Sequence, residues 1–145
     1  MSPEDIDILV VDDDENDAAM TLRALGDMAL GRRALRVPDG EEALEVLFAT
    51  GRHAGKTVPS PRLILLDMHM PKMGGLQVLA AVRGDPRTKS IPVVMLASSG
   101  SGEEVARCYA LGVNSYIVKP ESLDEYAAAV VGAGSYWLTW NQPAR

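Results

Sequence analysis

The chain has 145 residues, 23% of them charged, with 20 acidic against 14 basic side chains and a formal net charge of −6. That length suits one domain burying about two-thirds of its unfolded surface, and the negative balance disfavours nucleic acid and anionic membranes as partners. A single cysteine, Cys108, excludes an internal disulfide and a cysteine-based zinc site. With no signal-peptide pattern in residues 1–5 and no apolar run near the ~20 residues of a membrane span, a reducing cytoplasmic setting is expected.

The first strand is expected over 6–11, a β-branched run that stops at Asp12, Asp13 and Asp14, acids that cannot continue a buried strand. Asp14 is placed to cap a helix over about 15–29, with Asp17 in its first turn and Gly31 as a stop. A short strand follows over 33–37. Asp39 with Glu42 makes a capping box for a helix over about 40–50, and the Gly- and Pro-rich stretch 51–61 reads as a surface loop with His53 solvated. Residues 62–67 then give four consecutive aliphatics, a strand buried on both faces, with Asp67 where it runs out into a loop containing Pro71, Gly74 and Gly75.

A third helix is expected through Leu76, Leu79 and Val82, ended by Asp85 and Pro86. A buried strand follows over 91–97, with Pro92 near its start where a missing donor is tolerated. Ser101 and Glu104 cap a fourth helix that Gly112 stops, and Cys108 on it reads as a small buried hydrophobe. A fifth strand spans 115–118. Ser122 with Glu125 caps the last helix, whose Leu123, Tyr126, Ala127, Val130 and Val131 form a core-facing stripe. Gly132 and Gly134 each weaken it by about 1 kcal/mol, so it is expected to fray near Tyr136 and Trp137. Tyr126, Tyr136, Trp137 and Trp140 suit either the core of that helix or an exposed partner surface.

Five β-α units with short loops and right-handed crossovers give an α/β, flavodoxin-like doubly wound fold, a five-stranded parallel sheet with helices on both faces. In such a sheet the ligand site lies beyond the carboxyl ends of the strands, where strand order reverses. There the sequence delivers Asp12 and Asp13 from strand one, Asp67 from strand three, Ala97 and Ser98 from strand four and Lys119 from strand five. No His stands where a base or soft-metal ligand is needed, which disfavours Ser/His/Asp hydrolysis and zinc chemistry. Clustered carboxylates suit a hard cation such as Mg²⁺. With that cation and Lys119 offsetting charge, an Asp can attack a phosphoryl group.

Asp12-Asp13 after strand one, Asp67 followed by Met70-Pro71 and Gly74-Gly75, Ser115-Tyr116, and Lys119-Pro120 together resemble the receiver domain of two-component response regulators. The resemblance covers about 6–132, leaving 133–145 as an aromatic C-terminal helix extension of a single domain. The loop 51–61 and the tail from Ser135 to Leu138 further resemble single-domain regulators that partner bacterial phytochrome kinases. The resemblance implies Asp67 as phospho-acceptor, with Asp13 as a direct Mg²⁺ ligand and Asp12 helping through water. It also implies the backbone carbonyl of His69 as a third ligand, Lys119 as the phosphoryl contact and Tyr116 as the aromatic switch. The His69 ring is expected near the site mouth, and Lys119 in an ion pair with Asp67 or Asp13.

One position departs from the pattern: Ala97 stands where the family has Ser or Thr, and Ser98 or Ser99 would be the substitute hydroxyl. The expected function is a stand-alone receiver, not an enzyme in the ordinary sense. It would take a phosphoryl group from a sensor histidine kinase, a bacteriophytochrome among the candidates, and signal by protein contact, including homodimerisation through helix four, strand five and helix five. The rivals are a degenerate receiver acting as a phosphorylation-independent module and a Mg²⁺-dependent phosphatase with an Asp nucleophile. Such phosphatases carry a second Asp two residues after the first, and here that residue is His69. Nucleotide binding lacks a G-x-G-x-x-G after strand one.

Overall fold

A computed structural model describes residues 6–27 and 33–144. The expected end of the first helix at 28–29 and the Gly31 stop lie outside the described residues. Five strands, β1 (Ile8–Val11), β2 (Ala34–Val37), β3 (Leu63–Asp67), β4 (Val93–Ala97) and β5 (Ser115–Val118), form one parallel sheet in the order β2-β1-β3-β4-β5. Between and after them run α1 (Glu15–Asp27), α2 (Gly40–Phe48), α3 (Gly75–Arg83), α4 (Gly102–Ala110) and α5 (Leu123–Ser135). The doubly wound α/β expectation holds, and the order reverses between β1 and β3, which opens the crevice at their carboxyl ends.

Strand alternation divides the interior into two cores. Leu9, Val11, Ile64, Leu66, Met95 and Ala97 pack with Val46, Leu79 and Cys108 of α2, α3 and α4. Ile8, Val10, Leu63, Leu65, Val94 and Leu96 pack with Leu25 of α1 and Tyr126 and Val130 of α5. The three inner strands are buried along their whole length, as their unbroken aliphatic runs require, while β2 and β5 are half-buried edges. Four helices start on the caps read from sequence: Asp14 accepts from the Asp17 N–H at 2.9 Å, Asp39 from Glu42 at 2.7 Å, Ser101 from Glu104 at 3.2 Å and Ser122 from Glu125 at 3.3 Å.

The C-terminal end departs from expectation. Rather than fraying, α5 runs into one π-helical turn, Tyr136–Trp140, closed by the Asn141 N–H donating to the Tyr136 carbonyl at 2.7 Å. Leu138 is buried and Trp137 packs against the second core, with the Tyr136 ring edge-on to it at 4.8 Å. This tertiary packing outweighs the cost of the two helix glycines. Leu123, expected in the core stripe, is 70% exposed because it is the first residue of α5 and sits beyond the sheet. The loop after α2 holds a 3₁₀ turn, Gly51–His53, that folds back on α2. His53 is therefore not solvated: its Nε2 lies 3.1 Å from Glu42 and its Nδ1 3.1 Å from the Lys56 ammonium.

Gly75 fixes the loop that follows β3. A Cβ there would stand 2.7 Å from the Asp67 carbonyl oxygen, 2.9 Å from Met68 Cα and 2.9 Å from Met95 Sδ, so only a bare backbone fits. Gly75→Ala should cost about 1–3 kcal/mol, the usual penalty for overpacking, read as a lower urea midpoint at unchanged slope.

Candidate functional site

The carboxyl edge of the sheet gathers acid from two adjacent strands. β1 ends at Val11 and hands the chain to Asp12 and Asp13, while β3 ends on Asp67, so pairing of the two strands brings the three carboxylates together. One oxygen from each of Asp12, Asp13 and Asp67 lies within 4.8 Å of the others. Asp12 is 2% exposed and Asp67 6%, whereas Asp13 is open to solvent. The loop is pinned from both sides. The Asp12 carbonyl accepts from Arg36 Nε and Nη2 at 3.0 and 2.8 Å, and its Oδ1 accepts from the Asp14 N–H at 2.9 Å. Asp14 in turn caps α1, accepting from the Asn16 and Asp17 N–H groups at 2.9 Å each.

Lys119 follows β5, its N–H donating to the Ala97 carbonyl at 2.7 Å. Its side chain turns back over the edge. The ammonium donates to Asp17 Oδ2 at 3.2 Å, lies 3.5 Å from Asp67 Oδ1, and stands 6.0 Å from the centre of the Tyr126 ring. The expected ion pair with Asp67 is present, and the second partner is Asp17 of α1, not Asp13. Sequence alone marks Asp17 only as an acid of the first helical turn. The available signal is its position three residues after the cap Asp14, on the turn that faces the strand ends.

Burial raises the proton affinity of Asp67, and the carboxylates of Asp12 and Asp13 add to it while Lys119 opposes it, leaving the pKa pushed up to about 6. Burial likewise lifts Asp12 above the usual carboxylate range, against the pull of the Asp14 N–H and Lys119. For Lys119, burial works against the charged form. The Tyr126 ring, Asp67, Asp12 and the Asp17 hydrogen bond overcome it, so the ammonium is held more firmly than usual. The edge thus carries more negative charge than one lysine offsets.

The donor set fits a hard divalent cation. Oδ2 of Asp12 is buried with no hydrogen-bond partner, and the gathered atoms are all carboxylate oxygens, without the sulfur or imidazole that a softer metal prefers. The His69 imidazole is not among them. It is exposed and turned outward, its Nε2 2.8 Å from Glu104 Oε2 in the first turn of α4. Tyr116 lies half-buried against the first core, its hydroxyl donating to the Ser99 carbonyl at 2.7 Å. Ala97 is fully buried in the same core, and Ser98 is exposed one residue beyond the end of β4. Cys108 is buried, as expected, with its Sγ 3.7 Å from Met68 Sδ.

Among known proteins, the response regulator receiver domain model matches residues 8–131. The probable methanogenesis regulatory protein FilR2 of Methanothrix harundinacea is 36% identical over 135 residues, covering 93% of this chain and 85% of its own. The response regulator Rcp1 of Synechocystis sp. is 34% identical over 131 residues, covering 90% and 88%. Its Mn²⁺-bound crystal structure superposes with a TM-score of 0.86 at 33% identity, over 95% of this chain and 98% of that one. The phosphorylated cyanobacterial phytochrome response regulator RcpA gives a TM-score of 0.87 at 34% identity, over 95% and 97%. The family match begins on the first residue of β1 and ends within α5, so it runs through every strand that feeds the acidic edge. This chain belongs to the response regulator receiver domains of two-component systems.

Proposed function

We propose that the chain, read as one receiver domain over 1–145, accepts a phosphoryl group on Asp67 from the phosphohistidine of a sensor histidine kinase and signals by protein contact. The observation that carries this reading is the position of Asp67: buried at the switch point, within 4.8 Å of two further carboxylates and 3.5 Å from the Lys119 ammonium. In the transfer, an Asp67 carboxylate oxygen forms a bond to phosphorus while the donor's P–N bond breaks, and the imidazole leaves with the electron pair. Asp12, Asp13, Asp67 and the His69 backbone carbonyl would hold Mg²⁺, which supplies positive charge to the phosphoryl oxygens when bound. Lys119 offsets charge at the attacking carboxylate and remains to contact the transferred group. Lost again to water, the phosphoryl group leaves Asp67 as it was, so the domain is a timed switch, not an enzyme with turnover on a separate substrate.

The likeness to RcpA, a phytochrome response regulator, supports a phytochrome-type kinase as the donor. Exposed Tyr109, Leu111, Val118, Leu123, Tyr136 and Trp140 lie on α4, β5, α5 and the turns after α4 and α5, which supports a second copy of the chain as a contact. No helix among the described residues is long and apolar enough to cross a membrane. Together with the net charge of −6, this supports a cytoplasmic domain without nucleic acid or membrane as partner. The buried methyl of Ala97, where the family has a hydroxyl, favours a second reading as a phosphorylation-independent module.

Intact mass separates the two. Incubation with a small acyl phosphate and Mg²⁺ should add the mass of one phosphoryl group to most of the protein, and a chelator should remove the gain. No gain on the wild-type chain would overturn the phosphoryl reading in favour of the module.

A further inference from the structure

We infer that Asp17 is a positioning residue that holds the Lys119 ammonium toward α1 in the resting protein and gives it up when Asp67 is modified. The inference rests on the phosphoryl reading of Asp67. Its ground is a difference in contact: Lys119 Nζ donates a hydrogen bond to Asp17 Oδ2 at 3.2 Å, while Asp67 Oδ1, at 3.5 Å, is an ion-pair partner without a hydrogen bond. The ammonium is therefore shared, with its shorter contact on the carboxylate that undergoes no chemistry.

Asp17 is well placed to act this way and no other. Its backbone is fixed by donation to the Asp14 cap at 2.9 Å, and it lies outside the group of Asp12, Asp13 and Asp67 whose oxygens gather within 4.8 Å. It is half-buried, with one face open to water, so it can lose Lys119 and be hydrated in exchange. Asp67 and Asp12 are buried and have much less of such an exchange available. Adding a phosphoryl group to Asp67 puts further negative charge beside Nζ and tips the shared ammonium away from Asp17. The Asp17 contact is thus present before modification and lost after it. It opposes the modified state and sets how much phosphoryl transfer must supply.

The test uses beryllium fluoride with saturating Mg²⁺, a non-hydrolysing phosphoryl analogue that adds to a carboxylate, with the bound form read by ¹⁹F NMR at fixed ionic strength. Asp17→Asn should bind it roughly three- to tenfold more tightly than wild type, and Asp17→Glu should return to within about twofold of wild type. Glu15→Gln removes the same charge from the same exposed turn without touching Lys119 and should also stay within about twofold, which separates positioning from bulk charge. In the free protein the ¹⁵N resonance of Lys119 Nζ should move in Asp17→Asn and stay in place in Glu15→Gln. Asp17→Ser provides a second replacement if Asn lowers the folded fraction. Equal or weaker binding by Asp17→Asn, or equal gains in both neutralised variants, would overturn the positioning role and leave the phosphoryl reading intact. No adduct on wild type would overturn the phosphoryl reading, and this inference with it.

Discussion

Asp67→Asn should be more stable than wild type by about 1–3 kcal/mol at neutral pH while taking up no phosphoryl group at all. Burial and the neighbouring Asp12 and Asp13 raise the folded-state pKa of Asp67 from 3.8 to about 6, so its charged form is disfavoured by folding. In that interval the folded protein binds the proton that the unfolded chain has lost. Wild-type stability therefore falls as pH rises through the window from about 4 to about 6, and the whole penalty is present above it. The Asp67→Asn variant has no such slope. Its advantage should vanish below pH 4 and reach its full size by pH 7, in urea unfolding with chelator present. Lys119 is not orphaned by the change, because Asp17 still accepts its hydrogen bond, and so no new buried charge offsets the gain. Adding Mg²⁺ should stabilise wild type and have a much smaller effect on Asp67→Asn, since a ligand stabilises only the state that binds it. Parallel stability curves for the two proteins would show that the carboxylate is not held at a cost, and the electrostatic account of the site would fail.

The strands were legible because the inner three must be apolar along their full length to lie between two helical layers, and each ends in an acid or a turn signal. The helix starts at Asp39, Ser101 and Ser122 were legible for an equally local reason: the cap and its partner are three residues apart. What could not be read involved contacts between distant positions. Lys119 reaches Asp17, 102 residues earlier, because a flexible four-carbon stem finds whichever acid the α1–α5 packing brings near, and no local sequence signal pairs two positions that far apart. The tail held together instead of fraying because Leu138 and Trp137 have a core to enter, which helix propensity does not record. Leu123 fits the helical period of its neighbours, but its place in the first turn carries it past the edge of the sheet.

Ala97→Thr should strengthen the response to phosphorylation without creating it. Ala97 is the last residue of β4, fully buried, paired with Val118 of β5, and its carbonyl holds the Lys119 N–H at 2.7 Å. It shares the first core with Tyr116, so a hydroxyl on this side chain would stand in the core against which the aromatic ring packs. Ser98 follows the last residue of β4 and is exposed, outside the core that Tyr116 packs against, a poor route for the same signal. A hydrogen bond from a hydroxyl to a charged phosphoryl oxygen is worth about 1.5–3 kcal/mol, which corresponds to roughly a 10- to 100-fold larger gain in phosphorylation-dependent self-association or partner affinity. The added atoms enter a packed core and should cost about 1–3 kcal/mol of stability in both states, so they lower the unfolding midpoint without favouring either. Ala97→Val is the matched control, with nearly the same shape and no hydroxyl. Thr should enlarge the response and Val should not, each measured by sedimentation with and without beryllium fluoride. If Val matches Thr, volume and not hydrogen bonding drives the change. If neither differs from wild type, Tyr116 is reached by another path, and the Tyr116 hydroxyl already bonded to the Ser99 carbonyl at 2.7 Å is the first element to alter.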